Sequence, residues 1–210
     1  MPAPRSIDED RRIEVVGFIE GSVALRPWPE VLKCESGLTQ LGDFLRRYHE
    51  VVEDFVPCED AVWHVPDLTW QPGDIIRHGD LGPWNTVWRN GNLSGVIDWD
   101  FAEPGSRLAD IAQLAWHVVP LRGADFWQEV GFEKEPDLGQ RLGAICAAYG
   151  ASASRVVDAL LGVQDEDLRR ISELGARGIF PWSVFRERGD ASQIAKEQRW
   201  LMSSHNSLLG

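Results

Sequence analysis

Three side chains in one short stretch have the types and the spacing for phosphoryl transfer. In HGDLGPWNTVWRNGNLSGVIDWDFAEPG, which runs from His78 to Gly105, Asp80 precedes Asn85 by five residues and Asp98 follows beyond a turn. Phosphoryl transfer can use an Asp to accept the proton of the attacking hydroxyl, an Asn five positions later to hold metal, and a further Asp on metal. Those residue types suit the reaction because its difficulty is charge. Metal ions neutralise the phosphate oxygens, and a fixed carboxylate orients the nucleophile. Each residue alone has a plainer role, since a loop Asp often does no more than cap a turn. The three together at this spacing point to a site.

A hairpin has to bring two of them together. Asn90-Gly91 is a type I′ turn signal, because both central residues must tolerate positive φ. With a two-residue loop, Arg89 pairs with Asn92, Trp88 with Leu93 and Asn85 with Val96. Asp98 then shares a face with Val96 and lies diagonal to Asn85. An amide oxygen and a carboxylate so placed can share one Mg²⁺. A one-residue change in register would put them on opposite faces.

HGDLGPWN followed by GVIDWDFAEPGSRLADIAQLAW resembles the signature of the aminoglycoside phosphotransferase and choline kinase-like family, whose usual form is close to HGDxHxxN…IDW…D. The likeness implies a protein kinase-like α+β fold. It consists mainly of the helical C-terminal lobe, with a short N-terminal β segment and a catalytic-loop β-hairpin. It implies Asp80 as catalytic base, Asn85 and Asp98 as Mg²⁺ ligands, and Asp110 as a structural acid bracing the loop. Gly82 stands where the motif commonly has a histidine. The FIEG segment resembles the strand entering the interlobe hinge, which assigns Phe18 to the nucleotide edge. The expected cofactors are Mg²⁺ and ATP or GTP, and the expected partner is a small-molecule hydroxyl substrate.

The dull alternatives set the frame for the neighbouring residues. His78 reads as a loop brace. Asp100 and Glu103 read as solvated charges, and Trp88, Trp99 and Trp116 as core. Trp84, beside the expected metal site, is the candidate substrate contact among ten tryptophans. Asp165-Glu166-Asp167 reads as a helix start favoured by the helix dipole.

The rest of the chain must position these groups. Residues 13–19 read as a strand, and Leu41, Phe44, Leu45, Tyr48, Val51, Val52 and Phe55 recur at helical spacing behind a Ser36 cap. DLTWQPGD reads as loop. After Gly105 the pattern is helical: Arg107 to Val119, then DLGQRLGAICAAYG between Asp137 and Gly150, then SASRVVDALL, DEDLRRISELGARG and DASQIAKEQRWLMSSHNSLL. Residues 1–35 are expected to be a remnant of the N-lobe and hinge. Residues 36–210 are expected to be a helical kinase-like C-lobe, with a catalytic loop at 78–85 and a metal-binding segment at 98–100.

At 210 residues the chain can bury one substantial core, and its formal charge of −12 argues against a nucleic-acid binder, which needs a basic face. Its three cysteines show neither a disulfide framework nor a zinc spacing. The absence of an apolar leader or spanning run gives the expectation of a cytoplasmic protein without membrane or nucleic-acid partners. No GxGxxG and only three lysines are present, so the nucleotide-gripping lobe of a kinase is expected to be mostly missing. That leaves three readings open: a shortened phosphotransferase, a pseudokinase-like binding protein without turnover, and a lobe completed by a partner chain or a second copy. A serine hydrolase is excluded by the lack of a G-x-S-x-G elbow.

Overall fold

The computed structural model describes every residue except Met1, Glu9 and Arg12. β1 (Pro4–Asp8) and β2 (Ile13–Val16) form an exposed antiparallel ladder. The strand expected over 13–19 thus stops at Val16. Its partner was not expected, because PRSID carries none of the β-branched alternation that marks a strand. The chain then runs alongside the next sheet, where Ile19 lies over Gly95 and β3 (Ser22–Val23) pairs with β5 (Thr86–Arg89). β5 pairs in turn with β6 (Asn92–Val96). A separate small ladder joins β4 (Ile75–Arg77) to β7 (Glu103–Gly105).

The Asn90-Gly91 turn forms with positive φ at both residues, and Arg89 faces Asn92 and Trp88 faces Leu93 as the turn chemistry requires. Beyond that pair the expected register fails. Val87 faces Gly95 and Thr86 faces Val96, so Ser94 is an extra residue on β6. This β-bulge shifts the pairing by one. Asn85 therefore stands opposite Ile97, whose N–H donates to the Asn85 carbonyl at 2.9 Å. Asp98 leaves the strand with φ of +62°.

The body is helical. α1 (Glu30–Lys33) leads into α2 (Glu35–Val51), which starts before Ser36 and is preceded by Cys34 without a side-chain cap. Its inner face carries Leu38, Leu41 and Leu45, whereas Val51 and Phe55, expected on that face, are exposed. α3 (Arg107–Val118) is capped by the Ser106 hydroxyl, which accepts from the Ala109 N–H. A short α4 (Phe126–Glu129) precedes α5 (Leu138–Tyr149). α5 begins at the Asp137 cap and ends at Gly150 with φ of +90°, a left-handed stop that suits glycine.

α6 (Ala153–Ala176) is one continuous helix where two were expected. The inward stripe of Val156, Leu160, Val163, Ile171 and Leu174 continues across the acidic run, and Glu166 is paired with Arg169 and Arg170 one turn on. Asp165-Glu166-Asp167 is thus mid-helix and not a helix start. α7 (Trp182–Arg188) was not expected, and α8 (Asp190–Leu209) follows it. α2 packs on α5 and α3 on α6. Leu38, Leu45, Ile111, Leu142, Ile145 and Leu160 form part of one buried cluster. Val65, Ile171, Leu174 and Trp182 form a second cluster beside the long loop. The fold is α+β, a helical body carrying small sheets. Among the described residues no single helix is long and apolar enough to cross a membrane.

Candidate active site

The loop from His78 to Asn85 joins β4 to a 3₁₀ turn, Pro83–Asn85, at the foot of β5. Gly79 has φ of +80°, and a Cβ there would collide with the Phe101 carbonyl. Only glycine allows the chain this close approach. Gly82 is required for a different reason, because the ring of Trp84 occupies the space a side chain would need. The position where the motif commonly carries histidine is therefore covered by the indole of Trp84.

Asp80 is held from both sides. Its Oδ2 accepts hydrogen bonds from the Trp84 indole N–H at 3.2 Å and from Asn85 Nδ2 at 3.0 Å. Asn85 Nδ2 also donates to the Asp80 carbonyl at 2.8 Å. That double donation fixes the amide orientation and turns Asn85 Oδ1 away, free to accept or to ligate. Burial holds the Asp80 carboxyl above its ordinary range. The bonds from Trp84 and Asn85 pull it back, and the charge of Asp98 adds to the rise.

The supports of the loop come from helices. The His78 backbone N–H donates to Asp110 Oδ2 at 3.2 Å, and the same oxygen meets His49 Nε2 at 3.0 Å. His49 Nδ1 in turn meets the Tyr149 hydroxyl at 2.8 Å. His78, fully buried, accepts the Asp80 N–H at Nδ1 and faces the Ile97 carbonyl with Nε2. Its proton therefore sits on Nε2. Gln113, three residues after Asp110, clamps both sides of Asp80: its amide donates to the Gly79 carbonyl and its oxygen accepts the Leu81 N–H. Sequence reading missed Gln113, although its helical offset from Asp110 puts both on one face of α3.

The structure thus gathers Asp80, Trp84, Asn85, His78 and Asp110 into one hydrogen-bonded unit. Asp98 is exposed and near enough for its charge to act on Asp80. Phe18 stands apart: it is 89% exposed, beside Ile19, which turns in over Gly95. Glu103, expected as a solvated charge, is buried between Arg77 and Arg170, while Asp100 is exposed. Among the described residues no group of three His, Cys, Asp or Glu side chains converges on a metal position. The register shift takes the expected Mg²⁺ donors, Asn85 Oδ1 and the Asp98 carboxylate, off the shared strand face, and Asp98 lies exposed just beyond the strand; two protein donors would suit an ion that keeps water and phosphate ligands.

Asp80 opens onto a cleft of about 380 Å³. Trp84, Phe101, Trp116 and Trp182 line it, together with Asp167 and Arg170 of α6. Burial pushes the Asp167 carboxyl up to about 6.

Residues 57–144 match the phosphotransferase enzyme family. The matched segment carries the loop from His78 to Asn85, the hairpin, and α3 with Asp110, so the resemblance drawn from the motifs holds over it. It covers less than half of the chain. The trifolitoxin immunity protein of Rhizobium leguminosarum bv. trifolii is 31% identical over 151 residues, 69% of this chain and 54% of that protein. The chain thus spans about half the length of that relative. A protein of Ralstonia eutropha JMP134 provisionally named an aminoglycoside phosphotransferase shares the fold. It matches over 96% of this chain and 78% of its own, with a TM-score of 0.52 and 12% identity. A choline/ethanolamine kinase family protein of Mesorhizobium loti aligns over 94% of this chain and 77% of its own at 16% identity, but its TM-score of 0.37 adds nothing to that likeness. The kinase-like α+β fold expected from the sequence is what the chain has.

Proposed function

We propose that this chain carries the base and metal half of a small-molecule phosphotransferase, moving the γ-phosphoryl group of ATP or GTP to a hydroxyl. The observation that carries the reading is the tethering of Asp80. With Oδ2 occupied by Trp84 and Asn85, Oδ1 is the oxygen left to accept the acceptor's proton. As the acceptor oxygen bonds to phosphorus, its proton passes to Asp80, and the bond to the leaving nucleoside diphosphate breaks with its electron pair. Mg²⁺ on Asn85 Oδ1 and Asp98 would neutralise phosphate charge. Asp110, His49 and Gln113 hold the loop so that Asp80 meets the acceptor in one fixed orientation.

Mg²⁺ with ATP should raise the melting temperature by about 5–10 °C at a hundredfold excess over Kd. Asp98→Ala should abolish the rise. Asp80→Asn should keep it while transfer falls by about 10²–10⁴-fold, and an unchanged rate would remove Asp80 from the role of base. A second reading is a pseudokinase-like binding protein without turnover; the relative named above is called an immunity protein, not a transferase. Absence of any stabilisation by millimolar Mg-nucleotide would favour it.

A further inference from the structure

We infer that Trp84 is a positioning residue for Asp80, held by an aromatic column that stands on α8, and not a contact for the substrate. The inference rests on the phosphotransferase reading only in taking Asp80 as the base. The indole is pinned on three sides. Its N–H donates to Asp80 Oδ2 at 3.2 Å, and its benzo ring fills the space that a Cβ on Gly82 would need. Its third neighbour is the His117 ring, met edge to face with ring centres 4.8 Å apart. Indole has a single donor and no acceptor. That donor is taken up by Asp80, which leaves none for a ligand.

The column continues away from the loop. His117 stacks on Trp116, with ring centres 4.9 Å apart and planes 21° from parallel. Trp116 Nε1 donates to Glu197 Oε2 at 2.9 Å. Glu197, on α8, is 1% exposed and also accepts from Arg122 Nε at 3.0 Å and Gln193 Nε2 at 2.7 Å. The foot of the column is therefore a buried acid fixed by three partners. His117 serves the column through its ring. Its Nδ1 has no partner among the described residues, and burial, reinforced by Arg122 and Arg26, holds the imidazole well below its ordinary range and so neutral. A flat neutral ring between two indoles passes position along by packing alone. With the indole swung away, Oδ2 of Asp80 would keep only the Asn85 side chain as donor. A base held by one bond in place of two can turn away from the acceptor, and small misplacements of a reacting group are costly.

The experiment follows solvent exchange of the indole N–H groups in the intact, isotope-labelled protein by NMR, without nucleotide. Loss of one of the ten indole signals in Trp84→Phe assigns Trp84. Asp80→Ala should speed exchange of that proton about tenfold, since a bond to a charged acceptor is lost. His117→Ala should speed it about threefold or more, and His117→Phe, which keeps a ring and drops both nitrogens, should hold it at the native rate. Melting curves show which variants fold. An unchanged rate in Asp80→Ala or in folded His117→Ala would overturn the inference, and so would faster exchange in folded His117→Phe. Hydrolysis of Mg-ATP, with water in the acceptor's place, is measured separately. Trp84→Phe should lower its kcat about tenfold and leave KM for ATP unchanged; an unchanged kcat would also overturn the positioning role. No hydrolysis by the native protein, with the exchange rates as expected, upholds the column and counts against phosphoryl transfer.

Discussion

Asp167 shows how a single carboxyl inside a helical body can set the pH profile of stability. Its side chain reaches solvent only in part. Burial dominates its titration, Arg170 and Arg77 favour its charge, and Glu103 and Glu166 oppose it, leaving the group at about 6 against an ordinary 3.8. Because the native value lies above the unfolded one, the stabilising contribution is complete below about pH 3.8. It is lost as pH rises through about 6. At pH 7.5 the ionised group costs about 2–3 kcal/mol. Asp167→Asn should therefore raise the melting temperature at pH 7.5 by about 5–10 °C, and the gap should close near pH 4. A gap of equal size at both pH values would show that charge is not its cause. None of this is legible in the sequence, where the same residue sits in an acidic triplet that looks like a solvated helix start. Its burial is decided by what packs on α6, not by its neighbours in the chain. Asp80 and Asn85 were legible because their contact is local, five residues apart and closed by one side-chain bond. Gln113 was not legible because nothing near it names the loop it clamps.

At the level of elements, helices with explicit caps and stops could be read directly: α5 runs from Asp137 to Gly150, and α3 begins at Ser106. The hairpin was legible at its turn and illegible two pairs later. The bulge falls at Ser94, beside the Gly95 over which Ile19 lies, and no turn signal announces it. The α2–α5 contact depends on a residue that sequence patterns pass over. A Cβ on Gly42 would come within 2.7 Å of the Ile145 carbonyl and 2.9 Å of the Ala148 methyl, so this glycine lets two helices touch backbone to side chain. Gly42→Ala should cost about 1–2 kcal/mol net, overpacking of 1–3 kcal/mol being partly offset by better helix propensity. Gly162, in the middle of α6, has open space around the same position. Gly162→Ala should stabilise by about 0.5–1 kcal/mol. Chemical denaturation of the two variants reads both signs, and matching signs would discard the close-packing account.

Across the whole molecule, the loop that carries Asp80 and the helical body are joined by a buried ion triad. β4 runs directly into His78, β7 runs directly into α3, and these strands present Arg77 and Glu103 to each other. Arg170 of α6 reaches the same Glu103 oxygen at 3.0 Å, while the second oxygen has no partner among the described residues. All three side chains are at least nine-tenths buried. Removing the shared acid leaves Arg77 without its partner and Arg170 with Glu166 alone in a poorly solvated place, which costs about 3–5 kcal/mol. Glu103→Ala should therefore lower the melting temperature by about 10 °C or more. The triple replacement Arg77→Met, Glu103→Leu, Arg170→Met should recover most of that loss, since an apolar core can substitute for a buried ion cluster. The two variants separate stability from positioning. In Glu103→Ala, hydrogen exchange at residues 78–85 should quicken together with the ends of β4 and β7, because the loop hangs from those strands. If the triple variant restores the melting temperature but the loop still exchanges quickly, the triad fixes the orientation of Asp80. If both recover together, packing alone holds the loop and the charges serve no separate positional role.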